Sequence, residues 1–335
     1  MTAPLASRTR RTALATTLSA AALAATALLG AAPALAEAYP NKPVKFIVPF
    51  APGSATDQLA RAFGAKVSES IGQPVVVENK PGAGTIIGTQ QVAQAAPDGH
   101  TLLLMANSFV INAKLRGASL PYPGLKAFEP VACLTNSPQA IAVNSATPWR
   151  TFKEWMDAVK AKPDTVSYSA FGPATAQHIA AEILVRAAGL RMTYVPFPGG
   201  APAVNAALAG HVQTVLANVN EIQAHAESGK LRMLAVTTPQ RLAALPNVPT
   251  VSESGVPGYE AAAWFGLCVP AGTPKDVVAR LSRAAANAVS DAEIGKRLVA
   301  AGLQPYVMDP ARFAAHINEQ FALYSKVIDE AGIKA

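Results

Sequence analysis

Val44-Lys45-Phe46-Ile47-Val48-Pro49-Phe50-Ala51-Pro52-Gly53-Ser54-Ala55-Thr56-Asp57 is the stretch on which the fold turns. Five of its first six residues are apolar, three of them β-branched, and the run reads as a strand, while Leu59, Ala60, Phe63 and Val67 recur behind Asp57 at helical spacing. Between them lies a turn of small residues. A strand that enters a helix through such a turn presents free backbone N–H groups and a positive dipole end, which suits a carboxylate. Asp57 admits two readings here: it caps or charge-complements the helix, or it touches a ligand.

Outward from this unit the same alternation continues. Candidate strands are 44–49, 74–79, 101–105, 139–143, 166–169, 192–195, 214–217, 231–236 and 262–269, with helix-period segments between them. The pattern predicts an α/β fold of parallel sheets covered by helices. Gly72, Gly189 and Gly229 follow periodic runs as left-handed caps, and Asp309-Pro310 supplies an N-cap and a first-turn proline for the last helix. The Pro-, Ser- and Gly-rich stretch from Thr237 to Gly258 reads as an irregular crossover.

Two further strand-to-helix turns match the first: Ser169-Ala170-Phe171-Gly172-Pro173-Ala174-Thr175, and Pro196-Phe197-Pro198-Gly199-Gly200-Ala201. One such turn is commonplace in α/β proteins. Three of them, spread over both halves of the chain, suggest a cleft at the C-terminal ends of the strands. Gly82-Ala83-Gly84-Thr85-Ile86-Ile87-Gly88 imitates a dinucleotide fingerprint, but its spacing is off by one and a proline precedes it.

Composition bounds the function. The 335 residues, half of them apolar, exceed one ordinary domain, so two lobes are expected. Arg8, Arg10 and Arg11 precede an uncharged Ala/Leu-rich run to Leu29, and Ala34-Leu35-Ala36 offers a cleavage site, the pattern of a secretory signal peptide spanning 1–36 and removed after Ala36. Thr12-Ala13 behind the arginine pair favours general secretion over twin-arginine export. The leader carries three of the 28 basic residues and none of the 21 acidic ones, so the formal charge of +7 falls to +4. That excess fits small anions. It does not fit nucleic acid, because the Lys and Arg residues are scattered singly.

Catalytic signatures are missing from the sequence. No G-x-S-x-G elbow, H-E-x-x-H helix or metal-spaced cluster occurs, and the only histidines are His100, His178, His211, His225 and His316. His178 reads as a buried hydrogen-bonding residue, and Trp264 and Phe265 as strand core, a cleft wall being the alternative. Cys133 and Cys268 read as buried thiols, with a single disulfide left open. Neither a cofactor nor a metal is expected.

Beyond these readings, the chain resembles the Bug-type solute receptors of tripartite tricarboxylate transporters over nearly all of its length after the leader. The resemblance rests on Tyr39-Pro40 with Lys42-Pro43, Pro49 to Gly53, Val77-Glu78-Asn79-Lys80-Pro81-Gly82-Ala83-Gly84, Ala96-Pro97-Asp98-Gly99, Gly229-Lys230-Leu231-Arg232, Leu245 to Thr250, Trp264-Phe265-Gly266 and Pro270 to Pro274. It implies a two-lobed periplasmic binding protein of type II that closes like a Venus flytrap, with two crossover strands. Lobe one would span 37–138 and 238–335, and lobe two 139–237. The implied role is capture of a small carboxylate in the periplasm for the membrane permease subunits of a transporter, by a monomer that is not an enzyme. By analogy the ligand-binding residues would be Phe50, Ala51, Pro52, Gly53, Ser54, Ala55, Thr56 and Asp57; Asn107 and Ser108; Ser169, Ala170, Phe171, Gly172 and Thr175; Phe197, Pro198, Gly199, Gly200 and Ala201; and Asn218.

Departures from the family pattern bear on the ligand. Ser54 replaces a usual glycine, Phe171 stands where small hydroxylic residues are common, Pro198 replaces a common lysine, and Ala217 often has an aspartate in relatives. A less polar second lobe points to a monocarboxylate or an aromatic acid rather than citrate. A sensor for a signalling partner is the alternative role, with a periplasmic hydrolase further behind.

Overall fold

In a computed structural model, residues 39–172 and 175–334 are described. The leader expected at 1–36 and the cleavage after Ala36 lie outside them, as do Pro173 and Ala174 of the second turn. The opening stretch forms β1 (Val44–Val48) and α1 (Ala55–Ile71), capped by Ser54 at one end and left-handed Gly72 at the other. Then follow β2 (Val75–Asn79), a 3-10 turn Ala83–Thr85, α2 (Ile86–Ala93), β3 (Thr101–Ala106) and α3 (Asn107–Arg116). Next come β4 (Phe128–Asn144), α4 (Phe152–Ala161), β5 (Ser167–Phe171), α5 (Ala176–Ala187), β6 (Thr193–Phe197), α6 (Gly200–Leu208), β7 (Thr214–Asn218), α7 (Val219–Glu227) and β8 (Leu231–Val236). The chain ends with β9 (Ala262–Pro270), α8 (Lys275–Val289), α9 (Ala292–Ala300), β10 (Gln304–Met308) and α10 (Pro310–Ala331).

The strands join in the order β2-β1-β3-β9-β4-β7-β5-β6, with β8 and β10 also pairing β4. Pairing is parallel within β2-β1-β3 and within β7-β5-β6, as the alternation predicts, and antiparallel wherever β9 or β4 takes part. The expectation of parallel sheets is therefore corrected to a mixed sheet. β4 carries the change: Phe128–Pro138 runs against β9, and Gln139–Asn144 against β7 and β8. The stretch after β8 crosses back without regular structure beyond a bridge between Val236 and Thr250.

One apolar cluster spans Ile47, Leu103, Phe313 and Tyr324 as well as Trp155 and Tyr168; a smaller one gathers Ala140, Val204, Val215 and Ile222. Trp264 packs edge-on against Phe313, with ring centroids 5.4 Å apart. Cys133 and Cys268 are free thiols buried on β4 and β9. They are not register partners, since Cys133 faces Gly266 and Cys268 faces Pro130, and burial pushes the Cys133 thiol up to about 12. Among the described residues no helix is long and apolar enough to cross a membrane.

Candidate functional site

Three helix N-termini meet at a cleft of about 460 Å³. Phe50 and Thr56 reach it from the β1–α1 turn, Ala106, Asn107 and Ser108 from the β3–α3 junction, and Thr175, Ala176 and Gln177 from the start of α5. Ala263 and Phe265 of β9 form its floor, and Arg116 and Lys334 stand at its edge. Among the described residues, no Asp or Glu lines it. Helix N-termini, two cations and no acid together make this space favourable to an anion.

The sequence explains why these starts are so placed. Ser54 caps α1 by accepting the Asp57 N–H at 3.2 Å, and Thr175 caps α5 by accepting the His178 N–H at 3.3 Å. Asp57 is buried, and its carboxylate faces its own loop: it accepts from Gly53 N–H at 2.9 Å, Asn79 Nδ2 at 2.9 Å and Arg61 Nε at 3.2 Å. Burial alone would raise the Asp57 carboxyl, but those three donors outweigh it and hold the group below the usual carboxylate range. Asn79 also donates to Phe50 O at 3.2 Å, so the pair clamps the turn from behind. Asn107 likewise spends its amide on the protein, accepting from Trp264 N–H at 2.7 Å and donating to Tyr324 OH at 2.6 Å.

Of the candidate residues, the cleft brings together Phe50, Thr56, Asn107, Ser108 and Thr175. Ala51, Pro52 and Gly53 are exposed on the adjoining loop, Ser54 is half-buried, and Ala55 opens α1. Gly172 accepts from the Thr175 hydroxyl at 2.9 Å. Ser169 and Ala170 are fully buried, and the Ser169 hydroxyl is bound to Ala203 O at 2.9 Å. Phe171 and Phe197 pack on the smaller apolar cluster rather than on the cleft, where Phe50 and Phe265 supply the aromatic faces.

The third turn lies apart from the cleft as well. Pro198 and Ala201 are exposed, and Gly199 adopts φ +125°. Gly200 sits so close to the Glu221 carboxylate that any side chain there would collide with it. Glu221 thus places the protein's own acid against the first turn of α6, and burial raises its carboxyl. Asn218 caps α7 in a reciprocal box with Glu221 and accepts from Gln177 Nε2 at 3.1 Å.

Gly84, Thr85, Arg116, Gln177, Ala263, Phe265 and Lys334 line the cleft without having been singled out as ligand contacts. Thr85 comes from the stretch that imitates a dinucleotide fingerprint, and its hydroxyl lies 3.3 Å from Ser108 Oγ. The glycine at the end of that stretch has a packing role: a side chain at Gly88 would press on Lys80 O and Pro49. His178 stacks on Tyr194 with centroids 4.1 Å apart, and burial lowers its pKa, more than the neighbouring Glu182 raises it. Among the described residues no group of three or more His, Cys, Asp or Glu is placed to hold a metal. A hollow of about 550 Å³ between α1 and α9 gathers none of the candidate residues, and its Arg61 is already committed to Asp57.

Residues 59–333 match the family described as tripartite tricarboxylate transporter family receptor. BugT of Bordetella pertussis is 32% identical over 305 residues, covering 91% of this chain and 94% of that protein. The structure of a TctC solute binding protein from Polaromonas superposes with a TM-score of 0.80 at 30% identity, covering 87% of this chain and 99% of that one. MatC from Rhodopseudomonas palustris, solved with bound malate, gives a TM-score of 0.67 at 30% identity over 87% of this chain and 100% of that one.

Proposed function

Because the chain belongs to the tripartite tricarboxylate transporter receptor family, whose members are substrate-binding receptors rather than enzymes, we propose that it captures a small carboxylate in this cleft and presents it to the membrane permease subunits of such a transporter. The site of action is the periplasm, reached through the leader at 1–36. The observation that carries the reading is the convergence of the α1, α3 and α5 N-termini on a space with Arg116 and Lys334 at its edge and no acid in its lining. The ligand carboxylate sits against those N-termini, and its apolar body lies between Phe50 and Phe265. Thr175, Ala176 and Gln177 bring no charge to their wall, which supports a single carboxylate there and hence a monocarboxylate or aromatic acid. Residues 37–138 with 238–335 act as one lobe and 139–237 as the other, closing over the ligand about β4.

A thermal-shift screen of the mature chain against aliphatic, aromatic and amino-acid carboxylates tests this. A ligand present at about 100 times its Kd adds about 2.7 kcal/mol of stability. A hit that survives incubation unchanged is the expected result. A hit consumed during incubation would mark an enzyme, and best binding by citrate would sink the single-carboxylate assignment.

A further inference from the structure

Thr85 holds a backbone conformation that β-branched residues avoid, with φ +83° and ψ −6°. It ends a run in which Ala83 at +46° and Gly84 at +63° are left-handed as well. A glycine would occupy the position without that strain. Neighbours hold the turn in place: the Asn112 amide donates to Gly84 O at 2.6 Å, the Thr89 hydroxyl to Thr85 O at 2.8 Å, and the Thr85 N–H to Gly82 O at 3.0 Å.

The side chain does not offset the strain by serving its own helix. Thr85 is the N-cap residue of α2, yet its hydroxyl makes no capping bond and lies instead 3.3 Å from Ser108 Oγ. Neither hydroxyl has another hydrogen-bond partner among the described residues. Both residues line the cleft. Strain concentrated in a residue that faces a binding site points to a use for that residue there. We infer that Thr85 is a ligand-binding residue kept in a strained turn for its hydroxyl, and that Thr85 and Ser108 together hold one oxygen of the ligand's carboxylate. The inference rests on the receptor reading and assigns the carboxylate to the end of the cleft where α2 and α3 begin.

The chemistry of the pair selects an acceptor. Two hydroxyls that bond to each other use one proton and leave one, which needs a partner. Ser108 is the second residue of α3, in the turn whose backbone N–H groups have no acceptor within the helix, so the same partner meets further donors and a positive dipole end. A carboxylate oxygen satisfies all of these, whereas an ammonium would be repelled.

Calorimetric titration and thermal unfolding test this, with the tightest binder to wild type among benzoate, phenylacetate, propionate, adipate and malate as the probe. Thr85→Gly relieves the strain and removes the hydroxyl. It is expected to raise the Tm by about 2 °C while weakening the probe by about tenfold or more, the loss that follows removal of a hydrogen bond to a charged group. Thr85→Ser keeps the hydroxyl and binds the probe within about twofold of wild type, whereas Thr85→Val keeps the bulk and the strain and binds as weakly as Thr85→Gly. Ser108→Ala weakens the probe as well, and combined with Thr85→Gly it loses less than the product of the two single losses, because the pair acts as a unit. Unchanged affinity in Thr85→Gly or Thr85→Val overturns the inference and leaves the receptor reading intact. So does a Thr85→Gly variant that gains no stability, which would show that the side chain serves packing. If none of these acids binds, the receptor reading falls and the inference with it. Should Thr85→Val not fold, Thr85→Ser against Thr85→Gly decides.

Discussion

Asp57 shows how a residue can be singled out in the sequence while its hydrogen-bond partners stay hidden there. A first-turn acid behind a Gly/Ser turn can complement the helix or contact a ligand, and the sequence contains both readings. The structure turns its carboxylate onto Gly53, Asn79 and Arg61, and Asn79 lies 22 residues away on a different strand, so no local pattern could name it. Asp57→Ala leaves the Gly53 N–H and the Asn79 amide short of an acceptor. It is expected to cost about 1–3 kcal/mol in urea unfolding and to weaken carboxylate binding by loosening the turn that carries Phe50 and Thr56. An unchanged midpoint would show that the clamp contributes nothing. His316 is the second residue whose environment has a measurable consequence. Burial, and then the Arg312 guanidinium, lower its pKa to about 4, against a smaller opposing pull from Glu319, and Tyr306 and Trp264 face it edge-on. Between its unfolded value near 6.5 and about 4 the unfolded chain binds the extra proton, so stability is full above the upper value and falls as pH drops through the window. Thermal unfolding from pH 7 to pH 4 is expected to lose up to about 3 kcal/mol from this group. His316→Phe should flatten that part of the profile; an identical profile would refute the assignment.

Among the elements, the short β-branched runs were the legible ones: eight of the expected strands coincide with β1, β2, β3, β5, β6, β7, β8 and β9 to within two residues at each end. The failures are β4 and β10. Only 139–143 of β4 was expected as a strand, whereas it begins at Phe128 and includes Pro130, Thr135, Asn136, Ser137 and Pro138 around the apolar run 131–134. Those prolines and polar residues interrupt the apolar pattern, yet the segment pairs with β9 and in part with β10, where pairing rather than propensity fixes the backbone. β10 contains Pro305, pairs only with β4 and leaves Val307 exposed, so it has neither the buried run nor the alternation that marks a strand. The helix floor of this sheet was equally hidden. Gly266, quoted in the family resemblance as the end of Trp264-Phe265-Gly266, is the point where α10 approaches β9, and a Cβ there would overlap the Phe313 ring and press on Ala132 O. Gly266→Ala is expected to lower stability by about 1–3 kcal/mol through overpacking, measured as a shift of the denaturant midpoint without change of slope. A neutral effect would mean that the Phe313 ring moves aside freely.

For the molecule as a whole, the cleft was legible in outline because strand-to-helix turns carry their own chemistry, whereas which turns line it depends on tertiary contacts that no local pattern carries. The β1–α1 turn and the start of α5 line the same space, whereas the third turn is not in its lining and has Glu221 packed against its helix start. The proposed closure about β4 would act on the contacts that already link the two halves of the sheet. One is the Asn220 amide on α7, which donates to Ala301 O at 3.3 Å beyond α9, and Gly302 has no room for a side chain beside it. If that contact helps hold the halves together, Gly302→Val pushes Asn220 away and favours the open arrangement. Small-angle scattering is expected to show a smaller radius of gyration for wild type with saturating ligand than without, and a larger ligand-free value for the variant. Affinity should fall by the fraction of molecules no longer competent to bind, since opening acts only through that population. A variant with wild-type scattering and affinity would place the hinge elsewhere, and a ligand that leaves the wild-type radius unchanged would remove closure itself from the mechanism.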